Sequence, residues 1–356
     1  MSAVGGAQVG ARGQGSAAAR WGSAAFAARL AATTGASRAT IARCEQLAGG
    51  AIQQNFRLDV DLVGGPWASQ RQLVLRTGAA SKVAASRPCN EEYALLAAAH
   101  AAGVATPQPI ALHPGDAQWP AFMLMTFVAG EASGRRLTRN AGDHSRLVEA
   151  IGANLARLQA IRAPPPSLAF LGAPPARPTR TLVDGYRASI AQWQAKTGDA
   201  RPVLAWTLRW LDARVPAREA CVLVHRDYRV GNLMIDADRL LATLDWEFAG
   251  WGNPLEDLGW FCAPCWRFTR PDREAGGLAA IDHLLRGYNA VAGTAYQPQG
   301  LCFWQVLAQL RWAVIALQQA LRFLDAGERS LELALTGRML PELEWQMLAL
   351  TGDTLG

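Results

Sequence analysis

The chain has 356 residues, about two domains' worth at roughly 150 residues each. Half of them are hydrophobic and 18% charged, which excludes wholesale disorder, and no run approaches the ~18 uninterrupted apolar residues of a membrane helix. Nor does the net charge of +6 mark a nucleic-acid binder: residues 1–44 hold Arg12, Arg20, Arg29, Arg38 and Arg43 and no acid, so they carry +5 of it and leave no basic face for a folded part to present.

Residues 1–22, rich in Gly, Ala and Ser, are expected to form a disordered leader. Its Arg-dotted, acid-free composition also resembles an organellar transit peptide, although leaders of this kind need no such role. Residues 23–44 predict a short helix on the front of the first domain. From Arg43 the pattern turns strand-like. Residues 55–62 alternate with period two, and 72–76 follow a Gly64-Gly65-Pro66 turn. A helix is expected over 91–102, with Gly103 closing it, then strands over 104–112 and 121–128. Residues 23–130 therefore read as a strand-rich lobe with one inserted helix.

Residues 131–356 read as a larger helical lobe, making the chain α+β. Helices are predicted over 143–161, 181–213, 278–292 and 302–326, with a Pro-rich connector at 163–180. A last helical section runs from Glu328 to Leu350, and Pro341 is placed to start its final helix. Six cysteines in so long a chain, with no secretory hydrophobic segment, read as reduced thiols of a cytoplasmic protein. Cys262-Ala263-Pro264-Cys265 has redox or metal spacing, but no second pair completes a zinc site. Packing is the expected role.

One short β region, residues 221–246, carries the chemistry. Cys221 to Val224 is a strand run ending in His225-Arg226-Asp227. Leu233 to Ile235 and Leu240 to Leu244 form a hairpin across an Asp236–Arg239 turn. If cross-strand partners sum to about 477, Asn232 and Asp245 lie side by side at its open end. Asp227, five residues before Asn232, leads into that same end. Oxygen-bearing side chains in ones and twos, completed by water and phosphate, suit Mg²⁺ beside a nucleotide. A carboxylate set slightly apart suits accepting a hydroxyl proton. Each residue alone reads as a turn cap or strand start; the set at this spacing reads as a site.

His225-Arg226-Asp227-Tyr228-Arg229-Val230-Gly231-Asn232 resembles the catalytic loop of protein-kinase-like enzymes. Leu244-Asp245-Trp246-Glu247, with Gly252-Asn253-Pro254-Leu255-Glu256-Asp257-Leu258, resembles the metal-binding segment of the aminoglycoside phosphotransferase branch, the phosphotransferase enzyme family. Leu310-Arg311-Trp312-Ala313 and Gly327 to Glu332 are similar to members related to the kinase-like portion of acyl-CoA-dehydrogenase fusion proteins. The resemblance covers roughly residues 40–350 and implies a protein-kinase-like bilobal fold, with a β-rich N-lobe holding ATP and a helical C-lobe presenting a small-molecule hydroxyl acceptor. It implies that Asp227 accepts the acceptor's proton and that Asn232 and Asp245 hold Mg²⁺. Asp257 becomes a buried brace for the loop backbone, and His225 is structural.

In the N-lobe the resemblance points to Gly49, Gly50 and Asn55 as a phosphate loop. It makes Arg76 the cation where many relatives have lysine, with Lys82 competing. Glu92 is the expected partner because it shares a face with Leu96 and Ala99; Glu91 is the rival. The backbone around Thr126 and Val128 is the adenine hinge. Trp260, Phe261 and Trp266 follow the catalytic segment closely enough for one or two of them to line the acceptor pocket. The function implied is ATP- and Mg²⁺-dependent transfer to a hydroxyl, of a hydroxyacyl compound before an aminoglycoside. A nucleotide-binding pseudokinase or scaffold is the alternative of another class. A protein kinase is disfavoured because no activation-loop insert separates Asp245 from Asp257. No nucleic acid or membrane partner is expected, and the oligomeric state stays open.

Overall fold

Strand alternation decides the first part of the fold. Phe56, Leu58, Val60 and Leu62 are buried while Arg57, Asp59 and Asp61 between them are not, because the pleat sends successive side chains to opposite faces. The computed structural model describes residues 18–47, 53–78, 86–139, 142–161, 165–325 and 330–352. In it these residues lie on β2 (Gln53–Val63) of an antiparallel sheet with β1 (Arg38–Gln46), β3 (Ser69–Gly78), β4 (Pro109–His113) and β5 (Phe122–Thr126). The strand order is β1-β2-β3-β5-β4.

On one face of the sheet lies α1 (Ala24–Thr34), which is shorter than expected because β1 begins at Arg38. Ser23 caps it by accepting the Phe26 N–H at 3.2 Å, and Gly35 ends it in the left-handed region at φ 71. Trp21, expected in the leader, instead packs in this core at 3% exposure beside Phe26, Phe56, Trp119 and Phe122. Its large apolar ring outweighs the Gly/Ala-rich composition around it. The inserted helix α2 (Cys89–Ala101) buries Glu92, Leu95, Leu96 and Ala99, one stripe at helical spacing, and packs on β3, β4 and β5. This unit runs to Ala129 and takes in Leu244–Phe248 from later in the chain.

A second unit comprises Gly130–Thr243 and Ala249–Gly356. Its helices are α3 (Gly134–Arg139), α4 (Ser145–Gln159), α5 (Pro178–Thr197), α6 (Pro202–Asp212), α7 (Pro254–Cys262), α8 (Ile281–Ala292), α9 (Cys302–Asp325), α10 (Leu331–Gly337) and α11 (Leu340–Gly352). The single helix expected over 181–213 is two. Gly198, at φ 71, terminates α5, and Pro202 opens α6. Pro298–Leu324 is long and apolar enough to cross a membrane by length and composition, but 67% of its apolar window is buried inside the protein. It contains most of α9, which packs against α5, α6, α7, α10 and α11.

Two short ladders sit among these helices. β7 (Leu233–Asp236) pairs with β8 (Arg239–Thr243), with Leu233 opposite Thr243 and Met234 opposite Ala242. The pair sum is therefore 476 at the open end, not 477, and an irregularity between Met234 and Ile235 absorbs one more residue toward the turn. The register expectation that set Asn232 opposite Asp245 is corrected by one position. The strand before the catalytic loop, β6 (Val222–Val224), pairs with β9 (Gly250–Gly252), a strand the sequence reading lacked. Gly252 makes that pairing possible: a Cβ there would stand 2.5 Å from a Val224 methyl.

Candidate active site

In the strand-rich unit, three buried or half-buried carboxylates gather around Arg76. The β2–β3 register sets Asn55 opposite Arg76. On the face opposite Leu73 and Leu75, the Arg76 guanidinium meets α2. Its Nε lies 2.9 Å from Glu92 Oε1 and 3.0 Å from Oε2. Nη1 donates to Asn55 Oδ1 at 3.4 Å, and Nη2 pairs with Asp245 Oδ1 at 2.6 Å. That last contact is a charge pairing without hydrogen-bond alignment, so the buried Nη2 has no hydrogen-bond partner among the described residues. Glu247 lies 4.0 Å from Nη2 and accepts from Ser86 Oγ at 2.6 Å and Gln53 Nε2 at 3.4 Å.

Burial pushes the Glu92 carboxyl up to about 7 against the pull of Arg76, and burial raises Glu247 as well. For Arg76, burial works against the charge, yet Glu92, Asp245 and Glu247 together carry the guanidinium above its ordinary range. Arg76 is thus a fixed cation. Asp245 sits at φ 61, a left-handed backbone that a non-glycine residue adopts at some cost.

The helical unit carries the loop after β6. Asp257, on α7 and fully buried, accepts the His225 N–H at 2.7 Å and the Arg226 N–H at 2.8 Å. Arg226 itself is at φ 63, and its Nη2 donates to the Trp251 carbonyl at 2.5 Å. His225 is wholly buried, and its Nδ1 accepts the Asp227 N–H at 3.2 Å. Tyr228 anchors the far side by donating to the Ile151 carbonyl on α4 at 2.9 Å. Burial, then the neighbouring Glu256, carry the Asp257 carboxyl up to about 7 against its two backbone N–H bonds.

The Asp227 carboxylate is held on both oxygens. Oδ1 accepts from Trp260 Nε1 at 3.0 Å and Arg229 Nε at 3.1 Å; Oδ2 accepts from Asn232 Nδ2 at 2.5 Å. Asn232 Nδ2 also donates to the Asp227 carbonyl at 2.9 Å. With its nitrogen committed to Asp227, the amide oxygen of Asn232 is the end left for a cation. Beyond Asp227 lies an aromatic cluster of Trp260, Trp266 and Trp312. Arg229 stacks over Trp266 at 4.8 Å, and Arg311 over Trp260 at 4.6 Å.

Of the expected site residues, the structure brings Asn55, Arg76, Glu92 and Asp245 together in one unit and Asp227 with Asn232 in the other. Glu91, the rival to Glu92, pairs instead with Arg87 at 2.9 Å. Thr126 ends β5; its N–H is committed to the Gln108 carbonyl and the Phe127 N–H to that of Gln72. Phe261 is wholly buried against Tyr228. Gly49, Gly50 and Lys82 lie outside the described residues. Cys262 is buried in α7, and Cys265 packs beside the tryptophans. The sequence reading missed Glu247 and Arg229, whose contacts carry no periodic signal.

The sheet with one inserted helix, followed by a helical unit carrying a His-Arg-Asp loop, is the protein-kinase-like fold, and its class is the small-molecule kinases. The chain belongs to the phosphotransferase enzyme family, whose model matches residues 43–294. A candidate aminoglycoside phosphotransferase from Ralstonia eutropha JMP134 shares the fold at a TM-score of 0.72, with 19% identity over 92% of this chain and 98% of that one. Spectinomycin phosphotransferase, solved with ADP and spectinomycin, matches at a TM-score of 0.62 with 11% identity over 92% and 98%. Acyl-CoA dehydrogenase family member 11 of Rattus norvegicus is 27% identical over 176 residues, 46% of this chain, which spans only 22% of that relative's length.

Proposed function

We propose that this protein transfers the γ-phosphoryl group of ATP, with Mg²⁺, to a hydroxyl of a small acyl-type or otherwise anionic molecule. The observation that carries the reading is the Asp227 carboxylate, fixed by Trp260, Arg229 and Asn232 on a loop whose backbone is pinned to buried Asp257. A carboxylate so oriented suits a general base. The acceptor O–H bond breaks with its proton passing to Asp227, its oxygen bonds to phosphorus, and the bridging oxygen leaves with the electron pair on ADP.

By its chemistry each residue suits Mg²⁺: the Asn232 amide oxygen in one unit and the Asp245 carboxylate in the other are hard oxygen ligands of the kind that cation takes in small number. Bound there, the ion would supply charge neutralisation for the phosphate oxygens. Arg76, a permanent cation whose Nη2 has no hydrogen-bond partner among the described residues, suits the same anionic phosphates. Reading Asn232 and Asp245 as ligands, and Gly49, Gly50 and Val128 as nucleotide contacts, rests on the family's motif.

The acceptor side favours an anion over a polycation. Arg229 and Arg311 flank the tryptophans, and the indole N–H groups of Trp266 and Trp312 are buried without partners among the described residues. Arg229 also pairs with Asp227 at 3.1 Å and Arg311 lies 3.9 Å from Glu256, yet arginines and indoles together suit a ligand rich in acceptors, such as a hydroxy acid or hydroxyacyl thioester, better than a polycation. An ADP-release assay on hydroxy acids, hydroxyacyl thioesters and aminoglycosides tests this. Turnover on the anionic group is expected, with Asp227→Asn lowering it by about 10²- to 10⁴-fold. Turnover confined to aminoglycosides overturns the acceptor reading, and full turnover in Asp227→Asn overturns the base.

A further inference from the structure

Among the donors to Asp227, Trp260 is the one supplied from outside the catalytic loop. Its indole N–H reaches Asp227 Oδ1 at 3.0 Å across 33 residues of sequence, from a ring only 2% exposed. We propose that Trp260 is a positioning residue, whose N–H claims Oδ1 and so holds the carboxylate in the rotation that leaves Oδ2 to take the acceptor's proton. The inference rests on the reading of Asp227 as the base.

The lone pairs support this division. Oδ1 accepts Trp260 Nε1 and Arg229 Nε, which fills both of its favourable directions. Oδ2 has the Asn232 amide at 2.5 Å and, at 3.3 Å, the longer arm of the Arg229 N–H that is already given to Oδ1, so that arm is the contact an incoming hydroxyl displaces. Without the indole, Arg229 and Asn232 still bind the carboxylate, but both lie on the same loop as Asp227 itself. Trp260 ties the carboxylate to a different element.

That element is well seated. Asp257 and Trp260 stand three residues apart on α7 and therefore share a face. Asp257 holds the backbone of His225 and Arg226 while Trp260 holds the side chain of Asp227, so one helix grips the loop at two points. Gly259 sets the depth of the helix: a Cβ there would stand 2.3 Å from Trp304 Cβ and 2.6 Å from its carbonyl carbon. The indole ring is braced in turn by the Trp266 edge at 5.2 Å and the Arg311 guanidinium at 4.6 Å. An orienting donor fixed by packing in this way is what a preorganised site requires.

Two readouts on the full chain test the assignment. In ¹⁵N-tryptophan-labelled protein, the indole resonance missing from Trp260→Phe identifies Trp260, and in Asp227→Asn that resonance should move further than any other indole signal. An unmoved resonance overturns the contact whether or not Trp260→Phe folds well. The second readout is ADP release from MgATP with water as acceptor. Trp260→Phe should lower kcat on the order of tenfold, as loss of an orienting outer hydrogen bond does, and leave KM for ATP within about twofold. A purely structural tryptophan would shift the melting temperature without that split. Turnover that falls in Asp227→Asn but not in Trp260→Phe overturns the positioning role alone. Wild-type turnover no greater than that of Asp227→Asn overturns the base, and this role with it.

Discussion

Asp257 concentrates the chemistry of a buried residue in one side chain. Its two accepted N–H bonds favour the carboxylate, while complete burial and Glu256 favour the acid, and burial prevails to bring it up to about 7. Replacing it with asparagine sets an NH₂ against one of those N–H groups and should destabilise the protein by about 1–3 kcal/mol. The pH dependence follows from the direction of the shift. The folded chain binds this proton more tightly than the unfolded chain, whose carboxyl titrates near 3.8. Stability from this group is therefore full below that value and is lost as the pH rises through about 7. Urea midpoints of wild type and Asp257→Asn should draw together between about pH 5 and 7.5; a gap that widens contradicts a raised carboxyl. Asp257 was legible in the sequence because its motif is local. Glu92 and Glu91 both stayed open in the sequence; the face that Glu92 shares with Leu96 and Ala99 at i+4 and i+7 only favoured it. The Trp260 contact to Asp227 was not legible, because a side chain meeting another across 33 residues leaves no period or spacing to read.

At the scale of elements, periodic patterns survived and interruptions decided the errors. The alternation in β2 and the stripe on α2 appeared as expected. The helix expected over 181–213 broke at Gly198 and Pro202, where a left-handed stop and an N-terminal proline lie four residues apart. β9 escaped because three residues, Gly250-Trp251-Gly252, carry too little pattern to announce a strand. Glycine also sets the crossing of α4 and α8. A Cβ on Gly152 would lie 2.1 Å from the Leu284 carbonyl oxygen, and one on Gly287 would lie 1.9 Å from that of Glu149. Helix propensity favours Gly152→Ala by about 1 kcal/mol, but backbone atoms cannot yield as a flexible side chain does, and overpacking costs about 1–3 kcal/mol or more. The clash should win. Gly152→Ala is expected to lower the urea midpoint, and a raised midpoint would show that the two helices have room to separate.

For the molecule as a whole, the two functional groupings fall in different stretches of the chain, and the segment Leu244–Phe248 returns to the strand-rich unit late in the sequence. Asp245 and Glu247 thereby join Arg76, Glu92 and Gln53, residues more than 150 positions earlier. Composition could not have shown this; the resemblance to the family implied only a metal-holding role for Asp245. The consequence is a linkage between ligand and stability that Asp245 should control. A ligand that binds only the folded chain adds about 2.7 kcal/mol at 100 times its Kd, which for a protein of this size corresponds to a melting shift of several degrees, at about 2–4 °C per kcal/mol. ATP with Mg²⁺ should therefore raise the melting temperature of wild type, and ATP with EDTA should raise it less. Asp245→Asn keeps the shape of the side chain but removes the charge that both Arg76 and a divalent cation would meet, so its Mg²⁺-dependent increment should vanish. An increment of equal size in both proteins would place the cation elsewhere, and no response of wild type to any nucleotide would leave the Arg76 cluster a structural ion network within the sheet.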